Sequence, residues 1–335
     1  MAIATLENMV GEEEIVESLL NKGIEKEIFL SPEKIRGEVC VSVDVAKKII
    51  GFRGEIENIL DGKDSRMMLI MGPCSIDDYD AAIEYAFKLK KLSDEVRDKF
   101  LIVMRTYFEK PRTSVGWEGL IIDPDRDGSN DVEKGYLMAR KLLREINEIG
   151  LPCASELLDI TSNEYIGDLI SYAAIGARTS ESAPHRKMGS SLAVPVGFKN
   201  ATSGNLKIAV NAVKSANAEH IVETSYGRAL SKGNDYAHVI LRGGSNGVNY
   251  DKVSVEEVVG LLKEEGLRTS VIVDCSHANS GKDYRKQGEV FREVLGMNKK
   301  EVVGVMLESY LVEGVGDEYG QSKTDECVGW EESEG

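Results

Sequence analysis

FLIVMRTYFEKPRT, residues 100–113, is an apolar run that empties into a basic turn. Five apolar residues, Phe100 through Met104, precede the cations Arg105, Lys110 and Arg112, and Pro111 stiffens the backbone between the last two. The segment predicts a β-strand ending in an anion-binding loop, because proline fixes φ while Arg and Lys supply donors suited to phosphate or carboxylate. A solvated basic loop would carry the same residues, so the surroundings must decide between the two.

Outward from this stretch, similar apolar runs occupy 67–74, 152–158, 172–179, 194–199, 220–224, 237–242, 271–277 and 302–308, separated mostly by helical patterns. Continuous apolar runs alternating with helices signal parallel strands buried on both faces, so the fold class is α/β. With 100–107 included there are nine runs, one more than a (β/α)8 TIM barrel needs. The run ends identify the surplus. Eight finish on or next to Cys74, Arg105, Glu156, Arg178, Lys199, Arg242, His277 and Glu308, whereas 220–224 delivers only Glu223 and runs into a Gly- and Ser-containing stretch. A TIM barrel builds its active site at the C-terminal ends of several strands. Residues 220–235 are therefore predicted to be an excursion between strands five and six of an eight-stranded barrel.

Before the barrel, Ile15, Leu19, Leu20 and Ile24 have helical spacing in an acidic segment. A second helix is predicted from Ser42, as N-cap, to Leu60, with Val45, Ile49, Ile56 and Leu60 on one face and Asp61-Gly62 as the stop. Residues 1–45 are accordingly assigned to an N-terminal extension serving oligomer contact or regulation, and 46–335 to the barrel. The formal charge of −16 repels nucleic acid and anionic lipid. No run approaches a membrane span and the start has no signal-peptide pattern, so the expected location is cytoplasmic, with neither membrane nor nucleic acid as partner. Five cysteines without framework spacing argue against a disulfide scaffold.

Two constellations carry chemistry. Cys, His, Glu and Asp come from Gly72-Pro73-Cys74-Ser75, Cys275-Ser276-His277-Ala278-Asn279, Leu307-Glu308-Ser309 and Thr324-Asp325-Glu326-Cys327. A thiolate, an imidazole and two carboxylates form a site of intermediate softness, suited to Mn²⁺, Fe²⁺, Co²⁺ or Zn²⁺ and poorly to Ca²⁺. Taken singly, each is as well explained by packing or by a satisfied polar group, and no CxxC or HExxH spacing supports it. The second constellation is Arg105, Lys110, Arg112, Arg178, Lys199 and Arg242. Cations converging on a partly desolvated barrel mouth require anions, and two phosphorylated substrates, one also a carboxylate, match six of them better than one sugar phosphate does. Salt bridges to the surplus Asp and Glu could account for any one of them, less readily for all. Neither Arg242-Gly243-Gly244 nor Gly197-Phe198-Lys199-Asn200 is a Rossmann or P-loop fingerprint, and no Gly-x-Ser-x-Gly elbow appears.

Gly72-Pro73-Cys74-Ser75-Ile76, Arg105 through Thr113 with Val115-Gly116-Trp117, Ile175-Gly176-Ala177-Arg178-Thr179, Pro195-Val196-Gly197-Phe198-Lys199-Asn200, Ile240-Leu241-Arg242-Gly243-Gly244 and Ser276-His277-Ala278-Asn279-Ser280 together resemble type I 3-deoxy-7-phosphoheptulonate (DAHP) synthases. The likeness runs over about residues 28–331, and Lys110-Pro111-Arg112-Thr113 is its most specific part. It implies a metal-dependent, aldol-like condensation of phosphoenolpyruvate with erythrose 4-phosphate and water, opening the shikimate pathway. It further implies metal ligation by Cys74, His277, Glu308 and Asp325. Phosphoenolpyruvate is then expected on Arg105, Lys110, Arg178, Lys199 and Arg242 with Glu156 nearby, and erythrose 4-phosphate against Lys110, Pro111, Arg112 and Thr113. Lys110 is the candidate proton donor and Glu156 the candidate for steering water; His277 completes the catalytic set. A homodimer or homotetramer is implied as well.

Three departures qualify the resemblance. The 220–235 excursion is shorter than the family's hairpin, Ala193 stands where a small hydroxyl residue is expected, and Gly335 follows Gly329-Trp330-Glu331 where the family continues into a last barrel helix. Feedback inhibition is thus not carried over, and an incomplete eighth unit is expected. Two other readings stay open: the same chemistry on another phosphorylated aldehyde, as in 3-deoxyoctulosonate 8-phosphate or amino-sugar synthesis, and a non-catalytic barrel subunit.

Overall fold

The computed structural model describes residues 30–112 and 115–335, so the helix expected around Ile15 to Ile24 and the site residue Thr113 lie outside the described residues. Residues Ser31–Gly335 form one compact unit. It opens with helices α1 (Pro32–Glu38) and α2 (Val43–Leu60). Ser42 caps α2 by accepting a hydrogen bond from the Val45 N–H at 3.3 Å, and Gly62 follows its end in the left-handed region. The capping and stop signals of the sequence act as expected. Helix α1, assigned to the extension by sequence, belongs to the same compact unit as the barrel.

The barrel then alternates β1 (Met67–Gly72), α3 (Tyr79–Val96), β2 (Phe100–Arg105), α4 (Val132–Ile149), β3 (Cys153–Glu156), α5 (Ser162–Ile166), β4 (Tyr172–Ile175), α6 (Ala183–Ser191), β5 (Val196–Lys199) and α7 (Leu206–Ala216). Two strands outside the barrel follow, β6 (His220–Thr224) and β7 (Gly227–Ser231). The barrel resumes with β8 (Ala237–Leu241), α8 (Lys252–Glu264), β9 (Val271–Asp274), α9 (Gln287–Gly296) and β10 (Val302–Glu308). A small pair, β11 (Val312–Val315) with β12 (Gln321–Ser322), and helix α10 (Trp330–Glu334) complete the chain.

All barrel pairings are parallel, and the closed order is β1-β10-β9-β8-β5-β4-β3-β2. The excursion is an antiparallel hairpin of β6 and β7, with Thr224 facing Gly227 across its turn. It cannot join the barrel because β5 already pairs β8 in register, Lys199 opposite Ile240. The interior is filled by Met68, Ile70, Leu101, Val103, Ala154, Tyr172, Ala174, Ile240, Ile272 and Met306. It is a packed core rather than a channel. Among the described residues no helix is long and apolar enough to cross a membrane.

Candidate active site

The register delivers the polar strand ends to one level. Gly72 pairs Glu308, Arg105 pairs Ala154, and Glu156 pairs Ala174. Gly72 permits a close approach: a Cβ there would come within 2.6 Å of the Arg105 carbonyl oxygen, and its φ of +156° suits glycine. These ends surround a cavity of about 600 Å³ whose wall includes all the described site residues expected from sequence, from Cys74 and Arg105 to Glu308 and Asp325.

On one side lie the cations. Arg105 is buried; its Nε donates to the Pro73 carbonyl at 3.1 Å and its Nη2 to Glu308 Oε1 at 2.8 Å, while Nη1 has no protein partner. Its guanidinium lies 3.7 Å from the Tyr107 ring centroid, an apolar floor that also reaches Lys199 at 5.8 Å. Buried Lys199 has its ammonium 3.1 Å from Asp274 and 3.9 Å from Glu156. Arg242 is held through its backbone by Asn200 at 2.9 Å, leaves Nε without a partner, and is pulled down in pKa by desolvation. Arg178, more exposed, donates to the Pro111 carbonyl at 3.4 Å, and Arg112 donates to the Trp117 carbonyl at 2.8 Å. Buried N–H groups without acceptors are costly in a folded protein, so Arg105 and Arg242 are poised to receive an anion.

On the other side the cavity favours a cation. The Lys110 ammonium is 2.7 Å from Cys74 Sγ and 2.7 Å from Asp325 Oδ2, and those two side chains are 3.5 Å apart. Burial opposes the charge on Lys110, but Cys74, Glu308 and Asp325 outweigh it and raise the pKa. Burial likewise acts to raise Asp325, yet Lys110 holds it down at about 2. Cys74 goes the other way, pushed up to about 11 by burial and by Glu308 and Asp325. His277 Nε2 is 3.9 Å from Glu308 Oε1, and His277 adopts a left-handed φ of +57°, unusual for a residue with a Cβ. Among the described residues no three such side chains close on a common point as a ready cage. Their chemistry nonetheless fits a borderline divalent ion: a thiol, an imidazole nitrogen and two carboxylates in a pocket that already stabilises an ammonium.

A family model described as the DAHP synthetase I family matches residues 39–335. The chain belongs to that family. Phospho-2-dehydro-3-deoxyheptonate aldolase of Haemophilus influenzae is 45% identical over 91% of this chain and 88% of its own length. The Tyr-sensitive and Trp-sensitive enzymes of Escherichia coli K12 are each 44% identical over 92% of this chain, covering 90% and 92% of theirs. The solved structure of the Francisella tularensis aldolase superposes with a TM-score of 0.90 at 43% identity, covering 92% of this chain and 94% of that one. The (β/α)8 barrel expected from sequence is therefore both the observed topology and the fold of a solved relative.

Gln287, which lines the cavity, and two buried residues that touch its wall in this DAHP synthetase I family chain were not singled out from sequence. Asp274 ends β9, buried beside both Lys199 and His277. Gln287 clamps Glu308 through its backbone, donating to its carbonyl at 3.2 Å and accepting from its N–H at 2.8 Å. Cys327 Sγ accepts from the Cys74 N–H at 3.3 Å. Only Asp274 left a signal: an acidic residue closing the apolar run Val271-Ile272-Val273 demands a buried counter-charge.

Proposed function

We propose that this chain condenses phosphoenolpyruvate with erythrose 4-phosphate and water, giving 3-deoxy-D-arabino-heptulosonate 7-phosphate and phosphate, the first step of aromatic amino acid biosynthesis. Family membership supports the reaction, and the convergence of unpaired cationic donors with a thiol, imidazole and carboxylate set in one cavity is the observation that carries it. In this reading Arg105, Arg178, Lys199 and Arg242 bind the phosphate and carboxylate of phosphoenolpyruvate. Arg112, Pro111 and Thr113, reached from the same loop, receive the aldehyde's phosphate.

Cys74, His277, Glu308 and Asp325 would hold a divalent ion, with Mn²⁺, Fe²⁺, Co²⁺ and Zn²⁺ all compatible with the donor types. Such an ion supplies Lewis acidity toward the aldehyde oxygen. The remaining roles belong to the chain. As C3 of phosphoenolpyruvate bonds to the aldehyde carbon, the Lys110 ammonium, which Cys74 and Asp325 keep protonated, gives a proton to the more basic new oxyanion. Glu156, beside Lys199, orients the water and accepts a proton from it as its oxygen bonds to C2; the resulting hydroxyl passes its proton to the departing phosphate as the C2–O(phosphate) bond breaks and the C2 carbonyl forms. We place the protein in the cytoplasm as a homodimer or homotetramer, with residues 1–45 contributing to subunit contact or regulation.

The test is phosphate release from phosphoenolpyruvate with added Mn²⁺ against a panel of phosphorylated aldehydes. Turnover should be fastest with erythrose 4-phosphate and absent in excess chelator. A preference for a five-carbon aldehyde would move the reading to a longer sugar acid, and no turnover with any aldehyde would leave the non-catalytic subunit.

A further inference from the structure

Asp274 is nearly inaccessible to solvent, at 1% exposure, and lies behind the cavity wall in contact with two residues that line it, Lys199 and His277. Its Oδ1 accepts from the Ser276 N–H at 3.0 Å. Its Oδ2 lies 3.0 Å from His277 Nδ1 and 3.1 Å from Lys199 Nζ, charge contacts rather than aligned hydrogen bonds.

Fixed by the Ser276 N–H and the Lys199 ammonium, the Asp274 carboxylate presents Oδ2 to Nδ1 as an acceptor, which places the proton of the neutral ring on that nitrogen rather than on Nε2. The other neighbour of Nδ1, the Ser276 hydroxyl at 2.8 Å, can accept that proton as well. In the neutral ring Nε2 is then left bare, and it is the nitrogen that faces Glu308. The same oxygen fixes the Lys199 ammonium, whose next carboxylate, Glu156, is further away at 3.9 Å.

We propose that Asp274 is a positioning residue that joins the two halves of the site, setting the tautomer and orientation of His277 through Nδ1 while holding Lys199 in place for the anionic substrate. The inference rests on the reading of His277 as a metal ligand and Lys199 as a phosphoenolpyruvate group.

The full chain, freed of metal, gives the first measurement without any variant. In nitrogen-15 correlation spectra at about pH 8.5, above the ordinary imidazole value of about 6.5, the His277 ring should carry its proton on Nδ1. A proton on Nε2 would overturn the proposal. Asp274→Asn, matched in size, should lose this fixed tautomer and lower Mn²⁺ affinity by about 10- to 100-fold, the range for partners that orient a metal-bound histidine. Phosphoenolpyruvate titrated into the metal-free variant should also bind about tenfold more weakly. If either affinity stays within about twofold of the parent, the coupling is refuted. His277→Ala and Lys199→Ala separate the two failures. If they leave Mn²⁺ and phosphoenolpyruvate binding intact, the site reading itself falls; if they abolish them and Asp274→Asn does not, only the positioning role is lost.

Discussion

Arg140 and Arg105 are both buried, yet they show opposite ways of burying a guanidinium. Arg140, on α4, is saturated: it donates to the Val39 carbonyl at 2.9 Å, to the Tyr165 carbonyl, and to both carboxylate oxygens of Asp168 at 2.6 and 2.9 Å. Arg105, at the end of β2, engages Pro73, Cys74 and Glu308 but keeps Nη1 unpaired. Saturation marks an arginine that staples the chain together, here α4 to the segments before and after it. A buried donor left open marks one whose missing partner is a ligand. Two of the barrel's histidines repeat the lesson. His238 is inside the core with Tyr172 on one nitrogen and the Tyr236 carbonyl on the other, and burial pulls its pKa down to about 4. His277 is held through Nδ1 alone and turns Nε2 to the cavity.

The same substitution at both arginines would break the comparison if it is wrong. Arg105→Lys keeps a charge near Glu308 but removes the fork; kcat/KM for phosphoenolpyruvate is expected to fall by about 1000-fold, with a smaller loss of stability than at Arg140 because the stranded Pro73 and Cys74 carbonyls are offset by removing the open Nη1 donor. Arg140→Lys should do the reverse. Stranding the Val39 and Tyr165 carbonyls is expected to cost about 3 kcal/mol in denaturant unfolding, with kcat/KM of the folded fraction unaffected. A stable but inactive Arg140→Lys, or an unfolded Arg105→Lys, would show that saturation does not separate the roles.

The fold was legible because its signals are local and repeat. Apolar runs of strand length, each closed by a polar residue, and the one run that delivers only Glu223 and leads into a Gly- and Ser-containing stretch instead of a helix sufficed to separate the barrel from the β6–β7 hairpin. The site was legible where chemistry sits at strand ends, as at Arg105, Lys199 and Glu308. What escaped were side chains defined by distant partners. Nothing near Cys327 says that its sulfur accepts from Cys74, far away in the chain, and nothing near Lys110 says that its ammonium sits between that thiol and Asp325. Gln287 begins α9 and reads as any helix-initial polar residue until Glu308 is seen against it. Such pairs follow from barrel closure, which brings β1 beside β10, and closure leaves no mark on either segment alone.

Glu109 sharpens the comparison because it is neither saturated in the manner of Arg140 nor open in the manner of Arg105. Its carboxylate, beneath the Lys110 turn, accepts from the N–H groups of Leu158 and Asp159 at 3.3 and 3.2 Å, so its hydrogen bonds are met while its charge is not. Desolvation pushes its pKa up to about 7, and the two amides offset this only in part. An acid whose pKa is raised on folding binds its proton more tightly in the native state. The stability linked to that proton is whole below the unfolded value of about 4.3 and disappears as pH rises through the native value. Between pH 5 and 7 the unfolding free energy should therefore decline by about 2 kcal/mol on this account, while Glu109→Gln, which cannot titrate, should lack that decline whatever constant offset the amide introduces. Denaturant melts of both proteins at each pH give the comparison. A difference between them that stays flat with pH would mean that the Leu158 and Asp159 amides already stabilise the charged carboxylate, placing Glu109 with Arg140 among the saturated groups.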